Sequence, residues 1–410
     1  MDKVLGIISE YNPFHTGHAY HIEESKKAVN PDYTVAIMSG NFVQRGDAAV
    51  VDKWSRAEMA LKNGVDLVIE LPLIYSISSA EYFAFGGVKL LDSFKMDTTL
   101  SFGSECGNIS ILSDIADVLV EEPDEYLSIL NHELSSGSSF PKARERALLM
   151  YLNNLRKYAN ILSESNNILG IEYLKAIKNL KSNIKAITIQ RKGIKYNDLS
   201  LDDNLFPSST AIRHAISTNQ EIKRFILGES YNVLTNKIKK GEFINGLSKY
   251  EQAIIYKLRS MSLEEIAMLP DVNEGLENKI KKACDSCNTL DELIEQIKSK
   301  RYTHTRISRI LLYALLNITK KDLEDSTKVV PYIRILGMNS NGKELISKIS
   351  KQNKKISIIT SPKKFLDTNK NKVLKNMIEK DMFASNVYTL GYSKNSKANL
   401  DYTNKLITLK

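Results

Sequence analysis

The feature of this sequence that most restricts its fold is a regular alternation of short apolar runs with amphipathic segments near the N-terminus. The apolar runs at 3–9, 34–38, 65–72 and 98–103 have the length of buried strands. Between them, apolar residues recur at the three- and four-residue spacing of a helix that buries one face. Buried strands that alternate with helices predict a parallel sheet covered by helices on both faces.

The same alternation resumes beyond residue 160. The pattern predicts a helix over 166–180 and a further strand over 186–189. We therefore expect a first domain over 1–218, which contains a helical insertion at about 109–160. The residues 219–325 have helical periodicity throughout, and they predict a second, helical domain.

The last part of the chain, 326–410, returns to mixed character. Strand-like runs at 329–337 and 356–359 flank a helical pattern at 342–351, which predicts a small α/β C-terminal element. The predicted fold class is therefore α/β, with a Rossmann-like doubly wound parallel sheet. A helical domain and a small α/β C-terminal element follow it.

The charged residues are divided unevenly along the chain. Residues 1–150 hold 12 Lys and Arg against 22 Asp and Glu. Residues 151–410 hold 45 against 26, a net charge of +19. A basic excess of this size indicates a polyanionic partner.

Several classes of protein do not fit the sequence. No run of about 18 apolar residues is present, so we expect no membrane span. The N-terminal residues lack the apolar core of an export signal, so we expect a cytoplasmic location. The three cysteines, Cys106, Cys284 and Cys287, do not predict a disulfide framework. Zinc binding at the lone C-x-x-C of Cys284 and Cys287 would need two further ligands, so we predict no metal site.

The first motif with chemical content is His15-Thr16-Gly17-His18, directly after the first predicted strand. A helix that begins there would present free backbone N–H groups and the positive end of its dipole to an anion. Both imidazoles would lie on one helical face, where they can donate to one phosphate. Two alternatives stay open: the histidines cap the helix without further function, or they bind a metal together with His21.

The second motif is Pro207-Ser208-Ser209-Thr210-Ala211-Ile212-Arg213. Its hydroxyl groups can cap a helix and donate to phosphate oxygens. Arg213 lies one turn beyond Thr210 and can bind phosphate oxygens with two N–H groups. An ordinary helix cap followed by a surface arginine is the alternative.

Together these motifs resemble those of the nucleotidyltransferase superfamily, which includes small-molecule adenylyltransferases and class I aminoacyl-tRNA synthetases. Longer segments narrow the resemblance to the bacterial tRNA(Met) cytidine acetate ligase family. They are the following: Ser9-Glu10-Tyr11-Asn12-Pro13-Phe14-His15-Thr16-Gly17-His18, Met38-Ser39-Gly40-Asn41-Phe42-Val43-Gln44-Arg45-Gly46, Val65-Asp66-Leu67-Val68-Ile69-Glu70-Leu71-Pro72, Phe102-Gly103-Ser104-Glu105 and Asn166-Asn167-Ile168-Leu169-Gly170.

The resemblance implies that acetate is activated with ATP as acetyl-adenylate. The acetyl group would then pass to N4 of the wobble cytidine of elongator tRNA(Met), with release of AMP and pyrophosphate. It implies a catalytic set of His15, His18, Ser209, Thr210 and Arg213. It also implies an ATP site made of Ile7, Ile8, Ser9, Glu10, Tyr11, Asn12, Pro13, Phe14, His15, Thr16, Gly17, His18, Ala19, Tyr20, Gly103, Asn167 and Arg191.

Within this set, His15 and His18 would hold the α- and β-phosphates. Ser208, Ser209, Thr210 and Arg213 would hold the leaving pyrophosphate. Mg²⁺ is expected to bridge phosphate oxygens, although the sequence shows no carboxylate cage for it. The choice between Asn166 and Asn167 as the residue that contacts the nucleotide stays open, as do the acetate pocket and the oligomeric state.

For two basic segments, the sequence supports a function less strongly than it does for the two phosphate motifs. Arg45, Lys53 and Arg56 either flank the mouth of the active site or are ordinary solvated charges. The segment from Arg301 to Arg309 interleaves arginines with Tyr302 and histidine, which indicates RNA contact. Two other functions compete with the ligase: a small-molecule adenylyltransferase, which shares the phosphate motifs, and an RNA-binding protein without activity.

Overall fold

The structure is a computed structural model that describes residues 2–138, 140–192, 206–273, 275–299 and 301–409. Its strands are β1 Lys3–Ser9, β2 Tyr33–Ser39, β3 Phe42–Val43, β4 Asp47–Ala48, β5 Leu67–Leu71, β6 Asp97–Ser104, β7 Lys185–Gln190, β8 Ile333–Met338, β9 Ile358–Ile359 and β10 Ile407–Thr408.

The helices are α1 Thr16–Val29, α2 Lys53–Lys62, α3 Leu73–Ser76, α4 Ala80–Asp92, α5 Ile109–Glu121, α6 Asp124–Ser135, α7 Phe140–Tyr151, α8 Leu155–Tyr158, α9 Ser165–Asn179, α10 Ser209–Ser217, α11 Gly228–Lys239, α12 Glu251–Ser260, α13 Leu263–Ala267, α14 Leu276–Ser286, α15 Leu290–Ile297, α16 His304–Leu315, α17 Lys320–Thr327, α18 Ser340–Gln352, α19 Pro362–Thr368, α20 Lys372–Thr389 and α21 Leu400–Thr403.

The main sheet has the strand order β10-β8-β5-β2-β1-β6-β7. The strands β5, β2, β1, β6 and β7 are parallel to one another, so the predicted α/β fold with a doubly wound parallel sheet is confirmed. In chain order, β1, β2 and β5 are placed side by side in the sheet. The chain then returns past β1, and β6 pairs with the edge of β1 that faces away from β2. The change of direction lies between β1 and β6, and the carboxyl ends of strands at such a point form a crevice that binds ligands.

Alternate residues of the central strands pack into two separate cores. In β2, Val35 and Ile37 belong to the core beneath α4 and α9, whereas Ala36 and Met38 belong to the core beneath α1 and α2. This alternation follows from the two-residue period of a strand. Because both faces of the sheet are covered, its central strands β1, β2 and β5 are largely apolar.

The C-terminal strands extend the main sheet. Strand β8 pairs antiparallel with β5, and β9 and β10 each pair parallel with β8. The small α/β element that the sequence predicts over 326–410 is therefore joined to the sheet of the first part of the chain. The division into three domains stays a prediction.

A buried cluster of charges ties this junction together. Lys53 Nζ lies 2.8 Å from carboxylate oxygens of both Glu70 and Asp401. Arg334 of β8 pairs with Glu70 and also with Asp401. Burial opposes ionisation of Asp401, but the charges of Lys53 and Arg334 outweigh it and hold its pKa at about 2. Lys53 is fully buried, so both of its predicted roles, at the mouth of the site or in solvent, are wrong.

The helical part packs mainly against itself. Helix α12 contacts α14, α15 and α16, and Arg259 of α12 donates to the main-chain oxygens of Cys284 and Cys287. Both cysteines are buried free thiols, and burial raises the pKa of Cys284 to about 11. Within the described ranges, no helix combines the length and the apolar character that a membrane crossing requires.

Candidate active site

A cavity of about 450 Å³ opens at the carboxyl ends of β1, β6 and β7. This position is the crevice at the change of strand direction, where α/β sheets bind ligands. The predicted residues that line it are Ile7, Ile8, Ser9, Glu10, Tyr11, Asn12, His15, Gly17, His18, Tyr20, Gly103, Arg191, Ser209 and Arg213. The predicted residues outside its lining are Pro13, Phe14, Thr16, Ala19, Asn167 and Thr210.

His15 is the N-cap residue of α1. Its Nδ1 accepts the N–H of Gly17 at 3.0 Å. In a neutral ring that accepts at Nδ1, the proton is on Nε2, so Nε2 can donate. A Cβ on Gly17 would lie 2.9 Å from the His15 ring, so glycine is needed there for the ring to fold over its own helix terminus.

His18 completes a reciprocal cap. Its Nδ1 lies 3.3 Å from the backbone nitrogen of His15, and its ring centroid is 3.9 Å from that of His15. The proton of neutral His18 is therefore also directed to Nε2. Phe14 is fully buried and packs against His18, with ring centroids 5.6 Å apart.

Both imidazoles are neutral in this environment. Burial is the main cause that lowers the pKa of His15, and together with the charges of Arg191 and Arg213 it brings the pKa to about 3. Burial likewise lowers the pKa of His18 far below its usual value, and the neighbouring His15 adds to the shift. At neutral pH the pair therefore offers two N–H donors without a positive charge. A bound phosphate would raise both pKa values, because its charge favours the imidazolium form.

Helix α10 carries the second motif to the same place. Ser208 is its N-cap, and the Ser208 hydroxyl accepts the N–H of Ala211 at 3.0 Å. The next hydroxyl, of Ser209, lies 3.0 Å from His15 Nε2. The two motifs that sequence reasoning treated separately therefore make one contact at the rim of the cavity.

Arg213 connects α10 to the loop after β1. It donates to the main-chain oxygen of Asn12 at 2.9 Å and to the Thr210 hydroxyl at 3.2 Å. Thr210 thus positions the guanidinium, which itself lines the cavity.

The opposite wall is formed by β6, β7 and α9. Gly103 and Arg191 lie side by side, because a Cβ on Gly103 would meet Arg191 Cγ at 3.3 Å. The side chain of Asn167 is buried, and its Oδ1 accepts the N–H of Cys106. Asn166 lines the cavity, and Glu105 holds its amide nitrogen at 2.6 Å. The structure therefore places Asn166 where a nucleotide can meet it, whereas Asn167 supports the loop behind.

Sequence reasoning missed the residue that holds the loop after β1. Arg56 is fully buried and donates to the main-chain oxygens of Val51, Glu10, Ser39 and Gly40. Its guanidinium thereby joins the ends of β1 and β2 to the start of α2. The prediction of Arg56 as a mouth or surface charge is wrong. Its position in an otherwise apolar helical face was the available indication.

The mouth of the cavity is formed by the β3–β4 hairpin and α16. Gln44 and Arg45 of the hairpin line it, as do Thr305 and Arg309 of α16. Gly46, with φ of +79°, allows the hairpin to touch the α16 backbone, since a Cβ there would lie 2.5 Å from Arg309 N.

The segment Arg301–Arg309 therefore contributes to this cavity, and much of it is engaged. Tyr302 is buried, with 8% of its surface exposed, so it does not present a free ring for base stacking. Arg306 donates to the main-chain oxygen of Asp271, and Arg309 pairs with the Asp271 carboxylate at 2.9 Å. Only the exposed side chains of this segment are therefore available for contact with RNA.

The third histidine does not join the other two around a metal. His21 Nε2 lies 3.1 Å from the hydroxyl of Ser101. Burial, with a smaller contribution from the charge of Arg191, lowers the pKa of His21 to about 4. In the part of the chain that the structure describes, no three His, Cys, Asp or Glu residues are grouped to hold a metal ion.

Comparisons with known proteins agree with this geometry. The family model described as HIGH Nucleotidyl Transferase matches residues 2–403. The chain belongs to this family. A tRNA(Met) cytidine acetate ligase of Thermoanaerobacter sp. (strain X514) is 45% identical over 99% of this chain and 100% of its own length. One of Caldanaerobacter subterraneus subsp. tengcongensis is 46% identical, with 99% and 100% covered.

A solved structure has the same fold. The crystal structure of Thermotoga maritima TmcAL bound with α-thio ATP superposes with a TM-score of 0.91 at 34% identity. The match covers 99% of each chain. The predicted family is therefore confirmed, whereas the individual roles of the site residues stay predictions.

Proposed function

We propose that this protein is an ATP-dependent tRNA(Met) cytidine acetate ligase. It activates acetate as acetyl-adenylate and transfers the acetyl group to N4 of the wobble cytidine of elongator tRNA(Met). The observation that carries this proposal is the contact between His15 and Ser209, which unites the two phosphate motifs at one cavity. The full-length identity of 45% to a protein of that name supports the choice of substrates.

The first step forms a bond between an acetate oxygen and the α-phosphorus of ATP and breaks the bond from that phosphorus to pyrophosphate. Such a transfer requires positioning and stabilisation of charge rather than a protein nucleophile. His15 and His18 donate from Nε2 to the α- and β-phosphates. Ser209 and Arg213 hold the departing pyrophosphate, and Thr210 positions the guanidinium.

In the second step, N4 of cytidine attacks the acetyl carbonyl carbon. The carbon–oxygen bond to AMP breaks, AMP leaves with the electron pair, and N4 loses a proton. Because acetyl-adenylate reacts with water, the cavity must exclude water until the tRNA arrives. The hairpin and α16 at the mouth are the elements that an incoming tRNA would meet first.

At this site, Mg²⁺ would be bound mainly by the phosphate oxygens of the nucleotide. When bound to ATP, Mg²⁺ would neutralise charge on the phosphate oxygens. Glu10 is the acidic residue among the described residues that line the cavity, so the protein offers few oxygen ligands of its own. The donors that meet the phosphates directly are the imidazoles and Arg213.

The tRNA surface is best assigned by charge. Residues 219–325 hold 18 Lys and Arg against 16 Asp and Glu, whereas 326–410 hold 17 against 5. In the part of the chain beyond residue 219, the basic excess thus belongs mainly to the C-terminal residues. Several of its lysines, Lys354, Lys355, Lys363, Lys364, Lys370 and Lys372, are exposed. A surface of this kind binds phosphates without reading sequence.

A comparison of half-reactions tests the proposal. We expect acetate-dependent exchange of pyrophosphate into ATP without tRNA, and acetate incorporation into tRNA when both are present. Turnover with a mononucleotide or a pantetheine in place of acetate and tRNA would instead support the small-molecule adenylyltransferase. Tight tRNA binding without acetate-dependent exchange would support the RNA-binding protein that lacks activity.

A further inference from the structure

The cavity has lining residues on both sides of the strand β1. Beside β6 and β7 lie Gly103 and Arg191. Toward the β3–β4 hairpin and α4 lie Glu10, Gln44 and Arg45. Glu10 is the acidic residue of the described lining, and its carboxylate repels the phosphates of ATP and the carboxylate of acetate. A neutral N–H donor therefore suits the Glu10 carboxylate.

The carboxylate of Glu10 is held in place by one of its oxygens, and its other oxygen remains able to accept a hydrogen bond. Its Oε1 accepts the N–H of Gln44 at 2.9 Å, and its main-chain oxygen accepts from Arg56 at 2.6 Å. Its Oε2 accepts no hydrogen bond from the residues that the structure describes. The group is partly exposed in the cavity wall, so one acceptor remains available to a ligand.

A second unsatisfied group lines the same cavity. Tyr173 of α9 has 1% of its surface exposed, and its hydroxyl has no hydrogen-bond partner in the described part of the chain. Burial raises the pKa of Tyr173, and the charge of Glu10 raises it further. The cavity thus offers a ligand one acceptor and one donor that the described residues leave without a partner.

We propose that Glu10 receives the acceptor cytosine. This inference rests on the proposed function and assigns the base a place within it. A carboxylate is the group that recognises the exocyclic amino group of cytosine, because it accepts the N4–H. When N4 forms its bond to the acetyl carbon and AMP departs, the proton of N4 passes to Glu10. Tyr173, which lines the same cavity, acts as a positioning residue for the base.

The exchange of Glu10 for glutamine provides a sharp test. In Glu10→Gln the amide oxygen can still accept from Gln44, so the loop keeps its hydrogen bond. The free acceptor becomes an NH₂ donor, which repels N4–H of cytosine and suits O4 of uracil. The charge change should therefore alter the preference between C and U at the acceptor position.

The experiment measures competition for binding between two tRNA(Met) transcripts, with C or U at the wobble position, in the presence of ATP. Acetate is left out, because uracil has no N4 amino group and only the C transcript could be acetylated. We expect the wild-type protein to favour the C transcript by about tenfold, the effect of one well-placed base contact. In Glu10→Gln we expect this preference to vanish or reverse. Glu23→Gln, which changes an exposed carboxylate on α1, is the matched control and should keep the preference.

The outcomes separate this inference from the proposed function. A wild-type protein that never acetylates tRNA would overturn the proposed function itself. An active wild type whose Glu10→Gln variant keeps its preference for C would overturn only the inference. Loss of acetate-dependent pyrophosphate exchange in Glu10→Gln, restored by raised Mg²⁺, would also overturn it, because Glu10 would then be a ligand of the nucleotide-bound cation.

Discussion

Nε2 of His15 lies 3.0 Å from the hydroxyl of Ser209, although the two residues are 194 positions apart in the chain. One belongs to the N-terminus of α1 and the other to the N-terminus of α10. Two helix termini, each with the positive end of a helix dipole, therefore converge on the same rim of the cavity. An anion bound there would be shared between them.

This contact predicts that His15 and Ser209 act as a unit. His15→Ala and Ser209→Ala should each lower acetate-dependent pyrophosphate exchange by about 10²-fold, the usual effect of losing one transition-state donor. The double variant should be little worse than either single variant, since both changes disrupt the same arrangement. A double-mutant cycle checks this, and fully multiplicative losses would contradict it.

His18 should affect activation without affecting tRNA binding. We expect His18→Ala to abolish adenylate formation, because the second phosphate donor is lost, while filter binding shows nearly the same tRNA affinity. His132→Ala, on the exposed surface of α6, is the control and should leave both unchanged. A large loss of tRNA affinity in His18→Ala would contradict the separation of the two functions.

Arg56 should be important for stability. Arg56→Met leaves four main-chain oxygens near the cavity without their donor, and we expect a loss of about 3 kcal/mol or more in the free energy of unfolding. Urea denaturation measures it, with Arg156→Met on the exposed surface of α8 as the control. A loss no larger than that of the control would show that the guanidinium is dispensable.

Acid should destabilise the fold through its neutral histidines. The folded-state pKa of His21 is lowered to about 4, whereas an unfolded histidine titrates near its ordinary value of 6.5. The unfolded state therefore binds more protons between these two pH values, and stability falls as pH drops through that window. At pH 5 the cost for His21 alone is about 2 kcal/mol.

The measurement is urea denaturation of wild type and His21→Gln at pH 7 and pH 5. Glutamine does not titrate, so the variant should lose less stability between the two pH values than the wild type loses. Equal losses in both proteins would show that His21 does not contribute to the acid sensitivity.

The exposed C-terminal lysines should set the salt dependence of tRNA binding. We expect Lys363→Gln, Lys364→Gln and Lys372→Gln together to reduce the slope of log affinity against log salt by about 2. The pair Lys27→Gln and Lys95→Gln, exposed lysines of the acidic part, should leave the slope unchanged. An unaltered slope in the triple variant would place the tRNA surface elsewhere.

Much of the fold could be predicted because its strands are short, apolar and separated by helices. The predicted strand 3–9 is observed as Lys3–Ser9, and the predicted 98–103 as Asp97–Ser104. The pairing of β8 with β5 could not be predicted, because periodicity shows which face a strand buries but not which strand lies beside it. Helix α20 was not predicted. Its lysines and asparagines obscure the helical spacing of its apolar residues, which are seen to form one buried face only in the folded structure.

The site was predictable where a motif is local. His15 and His18 lie within one turn, so spacing alone places them together. Lys53 and Arg56 lie within one turn as well, yet both are buried with partners from distant segments, which spacing does not show. The fixed carboxylate of Glu10 depends on Gln44, and that relationship appears only once the chain is folded.

Strand β8 is synthesised long after β5, its partner in the sheet, and this delay matters for the nascent chain. Strand β5 is buried along its whole length, and β8 covers the edge that β2 does not. A ribosome that adds about 5–20 residues per second needs about 10–50 s to pass from Leu71 to Ile333. During that interval the nascent chain carries an apolar sheet edge that can pair with other chains. We therefore expect chaperones that shield such edges to bind it before α18 has emerged.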